Sequence, residues 1–268
     1  MSSPSEGSDR STAAPALEPT TVASADRFAP VLRQSAAVPK YWELKESLLA
    51  FCRANRPGTA VPPERRLAEE FGISRMTVRQ AMQELVVEGY LTRGQGRGTS
   101  VAPPKITHEI TMRSTSQAMR DQGATPTSRI LTLVEEPAST DVAERLGLAP
   151  QTPVVVLERL RYANSDVMAL DYSYLEAARF PGLIEHLSTR RGLYETLEAE
   201  YGALPVRAEE TIEAAVASPR VAGLLDTDTG APLLFAQRLG YLADGTAVEW
   251  SSTCFRGDRY RFLVRLSR

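Results

Sequence analysis

The sequence predicts an α+β protein with two domains: a small helical N-terminal domain that ends in a hairpin, and a larger antiparallel sheet with packed helices. Three observations lead to this prediction. Apolar residues recur at helical spacing between residues 41 and 87, a glycine-rich tip and Pro103-Pro104 follow, and alternating apolar segments dominate thereafter. A chain of 268 residues, 43% of them hydrophobic, can bury a core in each domain.

Residues 1–37 are dominated by Ser, Ala, Pro and Thr and have no sustained helical or strand period. Such a segment cannot bury enough apolar surface to offset the entropy that is lost on ordering. Its scattered arginines are accompanied by acidic residues, so it lacks the charge of a basic DNA-binding arm. We therefore expect a disordered N-terminal arm.

Three helices are expected in the next domain, which we place at residues 38–104. The first begins at Tyr41 and ends at Asn55-Arg56-Pro57-Gly58, where the apolar repeat breaks. Pro62-Pro63-Glu64 opens the second, because proline fits the first helical turn and an acidic side chain is favoured there. Ser74 can cap the third helix, whose apolar stripe leaves its polar residues pointing away from the core.

A short hairpin completes this domain. Residues 90–93 and 99–101 have the pattern of two strands around a flexible tip at 94–98, and Pro103-Pro104 marks a linker at about 102–107. The tip could instead be a nucleotide-binding loop, but it lacks the dinucleotide spacing, the following helix and the Lys-Ser/Thr ending of a phosphate loop. The pattern therefore predicts a winged helix-turn-helix.

Residues 108–268 are expected to form the second domain. Tight polar connections such as Asn164-Ser165-Asp166 favour antiparallel neighbours, with helices packed on the sheet. The alternating segments lie at about 128–136, 153–163, 167–176, 205–217, 231–243, 246–256 and 259–266, and helical stretches lie near 139–147, 181–187, 192–201 and 219–225.

Composition excludes several classes of protein. No apolar run reaches the length of a membrane span and no signal-peptide order is present, so we expect a cytoplasmic protein with no membrane partner. Cys52 and Cys254 are too far apart in sequence for a disulfide framework or a metal-ligand spacing. With only His108 and His186, no G-x-S-x-G elbow and no nucleophile–base pair, we expect no catalytic residues, no metal and no cofactor.

Basic residues are concentrated in the N-terminal domain, although the whole chain has a formal net charge of −2. From Lys40 to Lys105 there are 11 Arg and Lys, 7 Glu and no Asp, which gives +4, against −6 for the rest of the chain. This segment is therefore the candidate for contact with a polyanion.

The third helix carries residue types that can read DNA. Arg75 and Thr77 fall in its first turn, and Arg79 follows one turn after Arg75 on the solvent side, where an entering helix contacts base edges. Arginine can bind guanine through two hydrogen bonds, and a threonine hydroxyl can bind a base or a phosphate. Arg65 is placed to hold the DNA backbone, and Arg97 supplies charge at the wing tip. Each arginine alone could instead form a solvated helix face paired with acidic neighbours, but together they favour DNA binding. Those neighbours are Glu69, Glu70, Glu84 and Glu88.

Three segments of this domain carry a family resemblance: Val61-Pro62-Pro63-Glu64-Arg65-Arg66-Leu67-Ala68, Ser74-Arg75-Met76-Thr77-Val78-Arg79-Gln80-Ala81 and Gln95-Gly96-Arg97-Gly98-Thr99. They resemble the GntR family of bacterial regulators, and the likeness spans the whole DNA-binding domain. It implies a homodimer that binds a palindromic operator, because two-fold protein symmetry reads a two-fold DNA site. The DNA contacts that it implies are Arg65, Arg75, Thr77, Arg79 and Gly96.

A second set of segments covers most of the remaining chain: Leu157-Glu158-Arg159-Leu160-Arg161, the strand through Met168 and Asp171, Gly192-Leu193-Tyr194, Ala208-Glu209-Glu210-Thr211-Ile212, Val248-Glu249-Trp250 and Phe255-Arg256-Gly257-Asp258-Arg259-Tyr260. They resemble the HutC subfamily, whose UTRA sensor domain has a chorismate-lyase-like fold. Within it, the likeness is to the DasR and NagR type, regulators of N-acetylglucosamine uptake and use that respond to phosphorylated aminosugars.

Two arginines give independent support for a ligand. Arg159 and Arg161 lie two apart on a predicted strand and hence on the same face, which is otherwise apolar. Two guanidiniums on such a face need an anion, either a ligand phosphate or carboxylate or an internal partner among Glu209, Glu213 and Glu249. The residues by themselves favour neither alternative.

The resemblance implies a set of effector contacts, and three departures from its pattern leave the effector's identity open. Gly192 stands where a phosphate-binding serine is expected, Phe255 replaces a sugar-contacting tyrosine, and Asp166 and Asp171 replace two glutamates. A lost hydroxyl removes a hydrogen bond worth roughly 0.5–1.5 kcal/mol and can change which ligand fits. The implied contacts are Arg113, Ser114, Thr115, Arg159, Arg161, Asp166, Asp171, Tyr194, Glu249 and Phe255.

The sequence thus predicts a sequence-specific DNA-binding repressor controlled by a small anionic metabolite, such as glucosamine 6-phosphate or N-acetylglucosamine 6-phosphate. The alternatives are a different carboxylate or sugar effector, an enzyme of lyase-like fold and a ligand-independent architectural DNA binder. We expect an allosteric mechanism in which effector binding rearranges Arg113–Thr115 and the Pro103-Pro104 linker transmits the change.

Overall fold

The computed structural model describes residues 39–94, 98–112, 114–187 and 192–266. The segment Pro39–Arg268 forms one compact unit. The arm expected at residues 1–37 lies outside the described residues, as do the predicted site residues Gly96, Arg97 and Arg113.

Three helices form where apolar periodicity and end caps predict them: α1 (Lys40–Ala54), α2 (Glu64–Phe71) and α3 (Arg75–Val87). Gly72 ends α2 in the left-handed conformation at φ 61°, which glycine adopts without steric cost. The Ser74 hydroxyl begins α3 by accepting a hydrogen bond from the backbone N–H of Thr77. The buried faces of the three helices pack with Leu91 in one core. From the helices, this core contains Leu44, Leu48, Leu67, Val78, Met82 and Leu85.

The wing consists of β1 (Leu91–Gly94) and β2 (Gly98–Val101), which pair antiparallel from Leu91 opposite Val101 to Gly94 opposite Gly98. The linker is shorter than expected, because β3 (Ile106–Glu109) already belongs to the second domain. β3 pairs in parallel with β10 (Tyr260–Leu263), apart from the main sheet. The last alternating segment of the sequence, 259–266, is therefore a short strand that holds the end of the linker.

The remaining strands are β4 (Pro126–Pro137), β5 (Pro153–Ala163), β6 (Asp166–Glu176), β7 (Arg207–Val216), β8 (Pro232–Tyr241) and β9 (Ala247–Arg256). Within the described residues they form a six-stranded sheet in the order β4-β5-β6-β9-β8-β7, with every neighbouring pair antiparallel. The helix α4 (Thr115–Arg120) precedes the sheet, and the helices between its strands are α5 (Thr140–Leu146), α6 (Leu183–His186), α7 (Leu193–Tyr201) and α8 (Pro219–Leu225). This arrangement confirms the predicted α+β class.

The two faces of the sheet are covered by different helices because side chains alternate along each strand. Val154 and Val156 pack with α5, and Leu160 and Leu170 pack with α8. On the opposite face, the cluster containing Val155 and Leu157 includes residues of α6 and α7, while Met119 of α4 packs in a neighbouring cluster. A cleft remains on this second face, between α4 and α7.

No helix in the part of the chain that the structure describes is long and apolar enough to cross a membrane. Among the same residues, no group of three or more His, Cys, Asp or Glu side chains is arranged to hold a metal ion.

Candidate nucleic-acid interface and ligand pocket

The first turns of α3 form an exposed polar surface. Arg75 and Arg79 are exposed and Thr77 is half-buried, while Val78 and Ala81 on the other side of the helix are buried. The Thr77 hydroxyl lies 2.9 Å from the Ser74 hydroxyl, so both belong to the start of the helix. The structure therefore brings together the three α3 residues that the sequence predicts as DNA contacts.

Arg79 is held by a residue that the sequence analysis did not identify as functional. Its Nε lies 3.2 Å from each carboxylate oxygen of Glu64 at the start of α2, and its Nη2 donates to Glu64 Oε2 at 2.9 Å. The hydrogen bond from Arg79 lowers the pKa of Glu64. Glu64 therefore fixes the direction of Arg79 across the two helices. By contrast, Arg65 and Glu69 are both largely exposed and form a long ion pair of 3.6 Å.

Two glutamates of this region, Glu84 and Glu88, pair with residues of α1. Lys45 lies 3.0 Å from Glu84 and 2.6 Å from Glu88, and the Tyr41 hydroxyl donates to Glu84. Burial and this hydrogen bond raise the pKa of Tyr41 to about 12. These glutamates therefore fasten α1 to α3, and Arg75 and Arg79 do not pair with them.

The cleft in the second domain is lined by charged and hydroxyl side chains. Its floor is the second face of the sheet, where strand register places these residues side by side. Arg159 lies opposite Asp171, Asp171 opposite Thr253, Ser251 opposite Arg238, and Arg238 opposite Glu210.

A buried ionic cluster lies at the centre of the cleft. Arg159 Nε and Arg161 Nε donate to the same oxygen of Asp171 at 2.7 and 3.0 Å, and Thr253 donates to the other oxygen at 2.8 Å. Arg159 and Asp171 are about 95% buried. Burial would raise the pKa of Asp171, but Arg161 and Arg159 outweigh it and hold that pKa well below its usual range. Asp171 is thus ionised and compensates one of two guanidinium charges.

The hydrogen-bond partner of the two arginines is Asp171, while the charge of Glu249, one of the glutamates considered from the sequence, also acts on Arg159. Glu209 pairs with Arg207 at 2.9 Å, on the exposed edge of the sheet. Arg161 Nη1 also reaches the hydroxyl of Ser116 at 3.3 Å, which connects the cluster to α4. Internal pairing and a place in the cleft therefore coexist in the same residues.

Three further polar groups form one side of the cleft. Arg238 pairs with Glu210 at 2.8 Å, and both side chains are nearly buried. The Tyr194 hydroxyl contacts both Arg238 and Glu249. Burial, reinforced by the charge of Asp171, raises the pKa of Glu249. Arg238 and Glu210 were missed from the sequence because β7 and β8 have no local feature that marks their inward residues as polar.

Two helices begin at the cleft. Ser114 caps α4 by accepting from the N–H of Gln117 at 3.2 Å, and Gly192 is the N-terminal cap residue of α7. The N–H of Gly192 donates to Glu195 at 3.1 Å, and Glu195 pairs with Arg120 of α4 at 2.8 Å. Ser114, Thr115 and Ser116 at the start of α4 and Gly192 at the start of α7 therefore line one cavity.

Aromatic side chains close the remaining end of the cleft. His108 and Phe255 line it, and Phe255 stacks on Tyr260 with ring centroids 4.3 Å apart. The Tyr260 hydroxyl lies 2.7 Å from Nδ1 of His108. Burial, with smaller effects of Arg238 and Arg161, lowers the pKa of His108 to about 4.

One predicted effector contact is placed elsewhere. Asp166 is exposed at the turn between β5 and β6 and does not line the cleft. It begins β6 five residues before Asp171, and the irregular register between Arg161 and Tyr162 occurs in the same hairpin. The expectation that Asp166 contacts the effector is therefore corrected, whereas nine-tenths-buried Asp171 lies in the cleft.

The turn between β9 and β10 connects the cleft to the helical domain. Lys105 Nζ donates to the carbonyl of Gly257 at 2.6 Å, and Arg259 Nη2 donates to the Thr92 hydroxyl of the wing at 3.3 Å. A Cβ atom on Gly89, just after α3, would lie 2.1 Å from the carbonyl oxygen of Asp258. The backbones of the two domains are thus in direct contact.

Family models match both parts of the chain. The model described as "Bacterial regulatory proteins, gntR family" matches residues 43–101, and the UTRA domain model matches residues 121–261. These matches cover the winged unit and the sheet that carries the cleft.

Individual relatives show the same similarity along most of the chain. The chain is 33% identical to the HTH-type transcriptional repressor NagR of Bacillus subtilis, over 88% of this chain and 98% of that protein. It is 31% identical to the mannosyl-D-glycerate transport/metabolism system repressor MngR of Escherichia coli, over 80% and 89%. Among solved structures, PhnF from Mycobacterium smegmatis matches with a TM-score of 0.62 at 32% identity, covering 84% of this chain and 99% of that one.

Proposed function

Because this chain belongs to the gntR family of bacterial regulatory proteins and carries a UTRA domain, we propose that it binds a palindromic operator as a homodimer under the control of a phosphorylated aminosugar. At the level of the family, it is a HutC-type transcriptional repressor with an effector-binding domain, not an enzyme. We propose that it acts in the cytoplasm, where bacterial operator DNA lies.

The exposed start of α3 enters the major groove in this proposal. Arg75 and Arg79 bind base edges, and Thr77 binds a base or a phosphate from the same turn. The ion pair with Glu64 supports this role for Arg79, because it fixes the guanidinium before DNA binds and so limits the entropy lost on binding. Arg65 binds the DNA backbone, and the wing residues Gly96 and Arg97 approach the neighbouring groove.

The buried cluster of Arg159, Asp171 and Arg161 is the observation that carries the effector proposal. Two guanidiniums share one carboxylate, so the cluster alone has a net charge of +1. An anionic group bound beside it would be stabilised by this charge and by the hydroxyls of Ser114, Thr115 and Ser116. We expect a phosphate to bind here, with Arg113 as a further predicted contact.

The other side of the cleft suits a sugar. Carboxyl and phenol groups of Glu249 and Tyr194 bind hydroxyl or amino substituents, and Asp171 adds a further acceptor. Phe255 contributes an apolar surface next to them. The groups suited to a phosphate and those suited to a sugar line the same cleft, so we expect one hexosamine phosphate to contact both.

A different sugar or carboxylate effector remains the second candidate, and specific residues favour it. Gly192 supplies no hydroxyl to a phosphate, and Phe255 cannot donate a hydrogen bond. The name of the relative MngR refers to mannosyl-D-glycerate, which carries a carboxylate instead of a phosphate. Arg159 and Arg161 can bind either anion.

Effector binding is coupled to DNA binding through two connections in this proposal. One runs from Arg113–Thr115 to the Pro103-Pro104 linker. The other is the β9–β10 turn, which contacts Thr92 and Gly89 in the winged unit. An effector acts through them only by binding the free and DNA-bound arrangements with different affinities.

Calorimetry with glucosamine 6-phosphate, N-acetylglucosamine 6-phosphate and a carboxylate-bearing sugar tests the effector class. We expect a sugar phosphate to bind and Arg159→Met to abolish this binding. Arg129→Met, which changes an exposed arginine on β4, is the matched control and should bind as the wild type does. Binding of the carboxylate alone would favour the second candidate, and sugar-phosphate binding that survives Arg159→Met would refute the assigned site.

A further inference from the structure

One buried nitrogen in the cleft has no partner. Of the side-chain nitrogen and oxygen atoms that line the cleft in the described residues, His108 Nε2 is the one that is buried without a hydrogen bond. His108 is 3% exposed and lines the cleft. An unpaired buried polar atom costs free energy, which a ligand atom of the right kind recovers.

The neighbouring Tyr260 determines which imidazole nitrogen of His108 carries the proton. Tyr260 is 1% exposed, and burial raises the pKa of its phenol, so the hydroxyl stays protonated. Within the described residues, its hydrogen-bond partner is His108 Nδ1, at 2.7 Å. A phenol that has one nitrogen partner donates to it, so Nδ1 accepts and the proton of the neutral ring is on Nε2.

The surroundings of the ring fix its position and its charge. Phe262 stacks on it with centroids 5.4 Å apart, and Tyr260 packs edge-on at 5.9 Å. The positive charges of Arg161 and Arg238 add to burial in keeping the ring neutral, since the pKa of His108 is lowered to about 4. Nε2–H is therefore a fixed, neutral donor in an electropositive region.

We propose that His108 is an effector-binding residue whose Nε2–H donates to an oxygen atom of the bound sugar phosphate. This assignment rests on the proposed function of the cleft. It adds a contact from β3, the strand that directly follows the linker, to those from the sheet and from α4 and α7. Donation from a positive region selects an oxygen acceptor and disfavours an ammonium group at this position.

Calorimetry with N-acetylglucosamine 6-phosphate tests the contact in two variants. His108→Phe combined with Tyr260→Phe keeps both rings and removes both partners of their hydrogen bond, so packing is preserved. Binding should weaken about fivefold or more, because a buried acceptor on the ligand loses its donor. Tyr260→Phe alone also keeps both rings and retains the imidazole, whose Nε2–H form the ligand oxygen itself favours, so its binding should stay within about twofold of the wild type.

Nitrogen-15 NMR of histidine provides a second readout in the intact protein. The chain has two histidines, and the exposed His186 serves as an internal reference. We expect the Nε2–H form for His108 and a shift of its resonance, but not of His186, when N-acetylglucosamine 6-phosphate saturates the wild type.

Three results would overturn the assignment. The first is equal affinity in the wild type and the double variant, and the second is a loss of affinity in Tyr260→Phe as large as that in the double variant. Either would show that His108 makes no contact of its own, while the proposed effector stands. If neither aminosugar phosphate binds the wild type, the proposed effector and this contact fail together.

Discussion

Replacing Asp171 by Asn removes the charge at the centre of the cleft and keeps its shape. Asp171 accepts hydrogen bonds from Arg159 at 2.7 Å, Arg161 at 3.0 Å and Thr253 at 2.8 Å. Since Asp171 is 4% exposed, its loss leaves two guanidiniums with little solvent to screen them. Breaking a buried ion pair in this way costs about 3–5 kcal/mol, and the amide oxygen recovers part of it, so we expect about 3 kcal/mol.

Urea unfolding at pH 7 in low-salt buffer measures this cost. Asp141→Asn is the matched control, because Asp141 pairs with Arg145 at 3.0 Å but its side chain is 61% exposed. An exposed pair of this kind contributes less than about 1 kcal/mol. We also expect added N-acetylglucosamine 6-phosphate to stabilise Asp171→Asn more than the wild type, since its phosphate replaces the missing charge.

Two results would refute this reasoning. If Asp171→Asn and Asp141→Asn lower stability equally, the cluster is solvated and does not behave as a buried ion pair. If the sugar phosphate stabilises the wild type but not Asp171→Asn, the anion does not bind beside the two arginines.

Three further predictions concern other parts of the structure. Gly192→Ser should raise the affinity for N-acetylglucosamine 6-phosphate about two- to tenfold, because the site has room for a side chain and the phosphate gains a hydroxyl partner. Calorimetry measures this change, and the control Gly223→Ser, on α8, should leave the affinity unchanged. Gly89→Ala should lower the melting temperature clearly more than Gly58→Ala, since both have positive φ but only the Gly89 Cβ would collide with Asp258; equal losses would contradict the domain contact. Stability should fall as pH drops from 6.5 towards 4, because the unfolded chain protonates His108 first and its folded pKa is lowered to about 4. This effect is at most about 3 kcal/mol, and the unfolding free energy of the His108→Phe/Tyr260→Phe variant should lack it.

The winged unit could be predicted closely because its signals are local. Ser74 caps α3 as the sequence indicates, and apolar spacing alone identifies the buried face. The long strands were also found by their alternation, to within about three residues at most ends. Such features need no knowledge of which segments meet in space.

The cleft could be predicted only in part because strand register creates it. Arg159 and Arg161 stand out on one strand, but their partner Asp171 and the pair of Arg238 with Glu210 meet only after five strands align. His108 lies on a four-residue strand whose parallel pairing with β10 has no sequence signature. Asp166 was assigned from the family resemblance, and the structure places it outside the cleft.

Fluorescence anisotropy of the operator, identified by footprinting on genomic DNA, tests effector-controlled DNA binding most directly. The protein is titrated with and without saturating N-acetylglucosamine 6-phosphate, and Arg75→Ala tests the reading surface. We predict that the wild-type Kd for DNA changes about 5- to 150-fold with effector, as expected for a coupling of 1–3 kcal/mol, and that Arg75→Ala loses preference for the operator over scrambled DNA. An unchanged Kd with an effector that calorimetry shows to be bound, or an undiminished preference in Arg75→Ala, would contradict the account.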